Sequence, residues 1–226
     1  MNCIMTNQSI GKAEKGKSDI FIDLSHSIYD SMPCYPTDPQ VRLEQVKCIS
    51  KNGSNVTGIS FGSHTGTHAD APYHVSESGK KLDQLPLSSF YGRAVKLHIN
   101  RCAEFDPQSC SNGREIDGVI LETGWSDHFN DPARYFAKDR PGVPLSLARK
   151  LSESNIRFFG CDLPGVDESM VQDKVIHRTF LEKNIVIYEN LANLDQLPEC
   201  IPFLFMAFPL PIRNIDGSPV RAVAMI

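Results

Sequence analysis

The stretch His64-Thr-Gly-Thr-His-Ala-Asp-Ala-Pro-Tyr-His74 gathers three of the chain's seven histidines and one carboxylate, Asp70, into eleven residues. Neutral imidazole with carboxylate is the ligand set of catalytic Zn²⁺, Mn²⁺ or Fe²⁺, whereas structural zinc is held largely by thiolates. A metal site is the leading reading, and an ion that keeps an open position can activate water. One His-x3-His pair is commonplace; four candidate ligands this close, threaded with Gly66 and Pro72, are not.

The same stretch constrains the backbone. Gly66 and Pro72 argue against a regular helix. In a strand, the even positions His64, His68, Asp70 and His74 would share one side. Four extended residues nevertheless span about 13 Å, awkward for two ligands each about 2 Å from one ion. The chain should therefore bend near Gly66, where the absent Cβ permits unusual dihedrals. An irregular strand end or bulge with converging polar side chains is expected.

Around this stretch lie short apolar runs separated by turn residues. Ile20-Phe-Ile-Asp-Leu-Ser reads as a first strand that closes around Ser25 and His26, followed by a proline-rich loop, Met32 to Pro39, carrying Tyr35. Val41 to Ser50 and Val56 to Gly62 alternate as strands leading into the histidines. Ala94 to Ile99, Gly118 to Thr123, Phe158 to Leu163 and Ile185 to Glu189 read as further strands. A short amphipathic helix is expected from a Ser146 cap, a second over Val175 to Lys183, and a hairpin from Pro211 to Ala224. Strands outnumber helices and nothing repeats, which predicts one α/β domain with a mixed β-sheet and flanking helices over 19–226, after a polar, flexible tail over 1–18.

Length and composition bound the function. At 226 residues the chain can bury one substantial core. A net charge of −4, with no long block of either sign, gives no footprint for nucleic acid or an anionic membrane. The longest apolar run, Ile201 to Leu210, contains two prolines and is too short to span a bilayer. The N-terminus lacks the apolar core of a secretory signal. Seven scattered cysteines without a Cys-x-x-Cys pair argue against a disulfide framework, so a reduced, cytoplasmic setting is expected.

His64-x-Gly-Thr-His-x-Asp-x-Pro-x-His74 resembles the signature of the metal-dependent cyclase-like amidohydrolases, which include bacterial-type kynurenine formamidases and isatin hydrolases. Asp23-Leu-Ser-His, Thr123-Gly-Trp, Gly160-Cys-Asp, His177 with Glu189 twelve residues on, and the terminal Gly-Ser-Pro-Val-Arg-Ala extend the resemblance across nearly the whole chain. It implies a cyclase-like, swivelling β/β/α fold and a homodimer or homotetramer. It also implies a divalent metal, Zn or Mn, with one or two ions per chain. His64, His68 and Asp70 would bind the first ion, with Glu189 completing or bridging it. In the two-metal version Asp70 and Glu189 would bridge and His177 would hold the second ion; in the one-metal version His177 would stand behind the ligands. His74 would carry the proton.

These residues suit amide hydrolysis. A metal polarises the carbonyl and can lower the pKa of water to about 7, while His74 can take the water's proton and deliver it to the leaving nitrogen. The resemblance implies an aryl formamide as substrate, N-formylkynurenine first, with a cyclic amide of isatin type as the alternative. A catalytically silent metal-binding module and a polyketide cyclase are further readings. Tyr35 stands where the formamidases carry a substrate-contacting tryptophan; its ring can stack, but its hydroxyl makes the pocket more polar. Asp162 is a candidate partner for a ligand histidine. Trp125 is expected in the core, and His26 and His128 in structural hydrogen bonds.

Overall fold

The structure is a computed structural model that describes residues 19–102, 105–168 and 173–226; the tail expected over 1–18 lies outside them. Eleven strands run through the described residues: β1 (Phe21–Asp23), β2 (Arg42–Lys47), β3 (Val56–Ser60), β4 (His68–Asp70), β5 (Tyr91–His98), β6 (Gly118–Glu122), β7 (Phe158–Cys161), β8 (Val186–Glu189), β9 (Phe203–Met206), β10 (Gly217–Pro219) and β11 (Val223–Met225). The helices are α1 (Ile49–Asn52), α2 (Pro132–Tyr135), α3 (Leu145–Ser152) and α4 (Val175–Leu181). Nine strands form one mixed sheet in the order β1-β11-β9-β5-β6-β7-β8-β4-β10, while β2 and β3 pair as a separate antiparallel ribbon. This is the single mixed-sheet α/β architecture expected from the sequence.

Strands β5 to β8 are parallel neighbours, and their residues alternate between the two faces as a doubly covered sheet requires. Val95, Leu97, Val119, Leu121, Phe159 and Ile187 pack on one face, which α3 and α4 cover. Ala94, Ile120, Phe158, Val186 and Tyr188 pack on the other, together with Phe203 and Phe205 of β9. Beyond β8 the sheet turns antiparallel. There β4 pairs His68 with Glu189 and Asp70 with Ile187, and β10 closes its far side with Gly217 opposite Asp70. That reversal, at the carboxyl end of β8, is where ligands collect in open α/β sheets.

The local expectations differ from the structure at four places, the first being that the strand expected over Val41 to Ser50 ends at Lys47 and is followed by α1. Helix α3 starts at Leu145 behind Pro144, and Ser146 lies inside its first turn instead of capping it. No terminal hairpin forms: β10 joins β4 at one sheet edge and β11 joins β9 and β1 near the other. Turn residues report only local bending, and these three-residue strands take their partners from distant parts of the chain. The proline-flanked apolar run contributes β9 to the middle of the sheet. Cys110 and Cys200, 90 residues apart, are paired as a disulfide. Spacing along the chain could not show that contact, and it corrects the expectation of wholly reduced cysteines. No helix among the described residues is long and apolar enough to cross a membrane.

Candidate metal centre

Gly66 does what the bend required. Its φ of +58° lies in the left-handed region, and only three residues, His68–Asp70, continue as strand. Pro72–His74 then form a single 3-10 turn that swings His74 back beside the other imidazoles. Its ring centroid lies 4.2 Å from that of His64 and 5.3 Å from that of His177 on α4.

Asp70, fully buried, lies at the centre. Its Oδ1 is 2.8 Å from His64 Nδ1 and 3.3 Å from His68 Nε2, and its Oδ2 is 3.6 Å from His177 Nε2. Glu189 repeats the pattern, with Oε2 3.5 Å from His68 Nε2 and Oε1 3.2 Å from His177 Nε2. Each carboxylate thus reaches both His68 and His177. The outward nitrogen of each ring is occupied: His68 Nδ1 lies 2.8 Å from Gly66 O, His177 Nδ1 2.5 Å from Asp167 Oδ2, and His64 Nε2 2.8 Å from Asp216 Oδ2. Such outer partners fix ring orientation and tautomer and turn one nitrogen of each ring inward.

Three observations fit this cluster to a divalent cation. His68 Nε2 and Asp70 Oδ2 are buried with no aligned hydrogen-bond partner, and orphaned atoms of that kind are costly. Asp70, Glu189, Asp167 and Asp216 pair with histidines and, among the described residues, with no lysine or arginine. Their negative charge therefore calls for imidazolium or a metal ion. Finally, donor atoms of His64, His68 and Asp70, and of Asp70, His74 and His177, lie within 4.8 Å of one another. Without a cation, burial lowers the pKa of His64, but Asp70 and Asp216 raise it to about 10. For His68 and His177 burial is likewise outweighed by the carboxylates, which raise both to about 9. Burial and Asp70 push Glu189 up, yet His177 and His68 hold it well below the ordinary carboxylate range.

The cluster opens into a cavity of about 320 Å³ with an aromatic wall of Tyr35, Phe129, Tyr135 and Phe136. Tyr35 stands edge-on to Phe136 with centroids 5.9 Å apart. All seven residues singled out from the sequence, His64, His68, Asp70, His74, His177, Glu189 and Tyr35, line this cavity or stand directly behind its wall.

A family model described as "Putative cyclase" matches residues 22–168. The chain belongs to the cyclase family. A kynurenine formamidase of Bacillus cereus is 30% identical over 210 residues, covering 92% of this chain and 98% of that protein. Isatin hydrolase A from Labrenzia aggregata, solved with benzyl benzoate, is 28% identical with a TM-score of 0.78, covering 92% and 94% of the two chains. An isatin hydrolase bound to the product analogue thioisatinate superimposes with a TM-score of 0.80 over 92% of each chain; at 21% identity that likeness is one of fold.

Several residues of this cyclase-family site escaped the sequence reading. Asp167 lies ten positions before His177, and its carboxylate accepts the backbone N–H of Ile176 at 2.8 Å as well as holding the ring. Buried Arg140 donates to the carbonyls of Gly165 and Asp167, which positions the loop whose Val166 N–H binds Glu189 at 2.7 Å. Asn190, at a left-handed φ of +56°, donates to Gly66 O at 2.9 Å and accepts from the Tyr135 hydroxyl at 2.7 Å. Asn190 sat in view beside Glu189; Asp167 and Arg140 had no local signal. Asp162 holds no histidine: it accepts the N–H groups of Thr123, Gly124 and Trp125 and so ties β7 to the turn after β6. Trp125 is buried in the core as expected. His26 stacks on Phe129 at 3.6 Å and His128 meets Trp125 edge-on at 4.9 Å, ring contacts in place of the structural hydrogen bonds expected of them.

Proposed function

We propose that this chain is a metal-dependent amidohydrolase acting on a small aryl formamide, N-formylkynurenine first. The observation that carries this is the set of inward-facing imidazoles around Asp70 and Glu189, with orphaned buried donor and acceptor atoms, at the floor of an aromatic-walled cavity. His64, His68 and Asp70 would hold one ion, and His177 with the far oxygens of Asp70 and Glu189 a second. Zinc and manganese both suit that donor set. A bound ion supplies a Lewis acid for the carbonyl and a lowered pKa for water.

The chain's own residues supply the rest. Tyr35 and Phe136 pack the substrate's aromatic ring and exclude water from that side. Tyr35 adds a hydroxyl to the wall, which favours a ring bearing a polar substituent. His74, which makes no ion pair with Asp70 or Glu189, takes a proton from the attacking water and returns it to the leaving nitrogen, so that formate and the free amine result. Substrate hydrolysis followed by absorbance with zinc- or manganese-loaded protein tests this. Turnover is expected to fall at least about 100-fold in His74→Ala with metal content unchanged; loss of the metal along with activity would make His74 a ligand.

Isatin hydrolase A, at nearly the same identity as the formamidases, favours a second substrate class, cyclic amides. Inertness toward formamides with ring-opening of isatin would select it, and metal-loaded protein inert toward both would be a silent binding module. We also infer a homo-oligomer. The β2–β3 ribbon packs Leu43 on the main core but leaves Val46, Val56 and Ile59 exposed, an apolar surface that a second copy of the chain would cover. Light scattering should return a dimer or tetramer mass; a monomer would contradict this.

A further inference from the structure

Asp216 lies 142 residues from His74, immediately before β10, and its carboxylate touches two of the clustered histidines. Oδ2 is 2.8 Å from His64 Nε2 and 3.3 Å from His74 Nδ1, and Oδ1 accepts the Ser63 hydroxyl at 2.9 Å. Its backbone is fixed too: the Asp216 carbonyl accepts the Ala71 N–H at 2.8 Å, and the next residue, Gly217, is in register with Asp70. His74 makes no other side-chain hydrogen bond among the described residues, so Asp216 is the one group there that can select its tautomer.

We propose that Asp216 is the positioning residue for proton transfer. It accepts Nδ1–H of His74, fixes that tautomer and leaves Nε2 as the atom that takes the proton. This rests on the assignment of His74 as proton carrier. A carboxylate oxygen has lone pairs for two donors, so one oxygen can hold both rings. His64 then donates through Nε2 and turns Nδ1 toward Asp70, and the same carboxylate sets the separation between a ligand ring and the proton-carrying ring. Without it the two neutral tautomers of His74 lie close in energy and the ring is free to turn. The aromatic wall that binds substrate is untouched.

The test is Asp216→Asn in the zinc-loaded protein, read by kinetics, zinc content and ¹⁵N NMR of the His74 ring. At saturating zinc we expect kcat to fall about 100-fold, KM to stay within about twofold and zinc stoichiometry to be unchanged, with zinc affinity weakened about 10-fold through His64. The ring, mainly Nδ1–H in the wild type, should become a mixture of tautomers. An unchanged tautomer overturns the proposal, as does a loss of zinc that accounts for the loss of rate, which would leave Asp216 supporting only His64. If the wild type hydrolyses neither a formamide nor a cyclic amide, the functional assignment fails and the tautomer alone decides the role of Asp216. Should Asp216→Asn not fold, Ser63→Ala removes only the hydroxyl on Oδ1. It should shift the tautomer and lower kcat about fivefold, and no effect on either would count against the proposal.

Discussion

A Cβ at Gly217 would lie 2.8 Å from His64 Cε1 and 3.0 Å from Ala69 O. The carbonyl belongs to the β4–β10 pairing and cannot retreat, so the imidazole must. Gly217→Ala should therefore weaken metal affinity at least about tenfold, the scale of outer-sphere perturbations, while the fold persists. Competition against a chelator, with circular dichroism as control, measures this; wild-type affinity would contradict it. At this scale the centre was half legible. His64, His68, Asp70 and His74 could be read because their convergence follows from covalent spacing and a bend at Gly66. Asp216 lay within a stretch already singled out, but nothing in Asn-Ile-Asp-Gly says that it meets His64, since that contact exists only once β10 pairs with β4.

At the scale of elements, Asp167 carries two roles. Helix α4 is preceded by Lys174, at a left-handed φ of +48°, whose side chain makes no cap; Asp167 supplies the acceptor, binding the N–H groups of Ile176 and His177 as well as the His177 ring. Asp167→Ala should cost about 1 kcal/mol of stability from the lost cap and lower metal affinity about 10-fold or more. Thermal melts of the metal-free and loaded forms separate the two effects; a drop confined to the loaded form would show that the cap contributes nothing. Helix α4 and strand β8 were visible as apolar periodicity. The stretch just after β7, through Asp167, was not, because Arg140 arranges it through the carbonyls of Gly165 and Asp167 and leaves no pattern in the stretch's own sequence. The terminal hairpin failed for the converse reason: local turn chemistry was present, but strand order took β10 and β11 to opposite parts of the sheet.

For the whole molecule, charge and metal are linked. In the metal-free protein, His64, His68 and His177 have pKa values raised from 6.5 to about 10, 9 and 9. Groups raised in the folded state bind protons more tightly there than in the unfolded chain. Their stabilisation is full below about pH 6.5 and is lost as pH rises through 9 to 10. Metal-stripped protein should therefore melt at progressively lower temperature between pH 7 and 10. Metal affinity should rise over the same range, because binding displaces those protons. A flat melting profile for the stripped protein would show that the carboxylates are not compensated by these imidazoles. The fold class was legible at this scale from strand-rich, turn-punctuated sequence; the Cys110–Cys200 pair was not, since a contact across 90 residues leaves no trace in spacing.

Metal content per chain, in the wild type and in Asp70→Asn, decides whether this cluster binds a cation, because Asp70 touches His64, His68 and His177 together. The loaded wild type is expected to retain zinc or manganese after dialysis, and Asp70→Asn, still folded, to retain none. A wild type that holds no ion, or a variant that holds as much as the wild type, would contradict cation binding at this cluster.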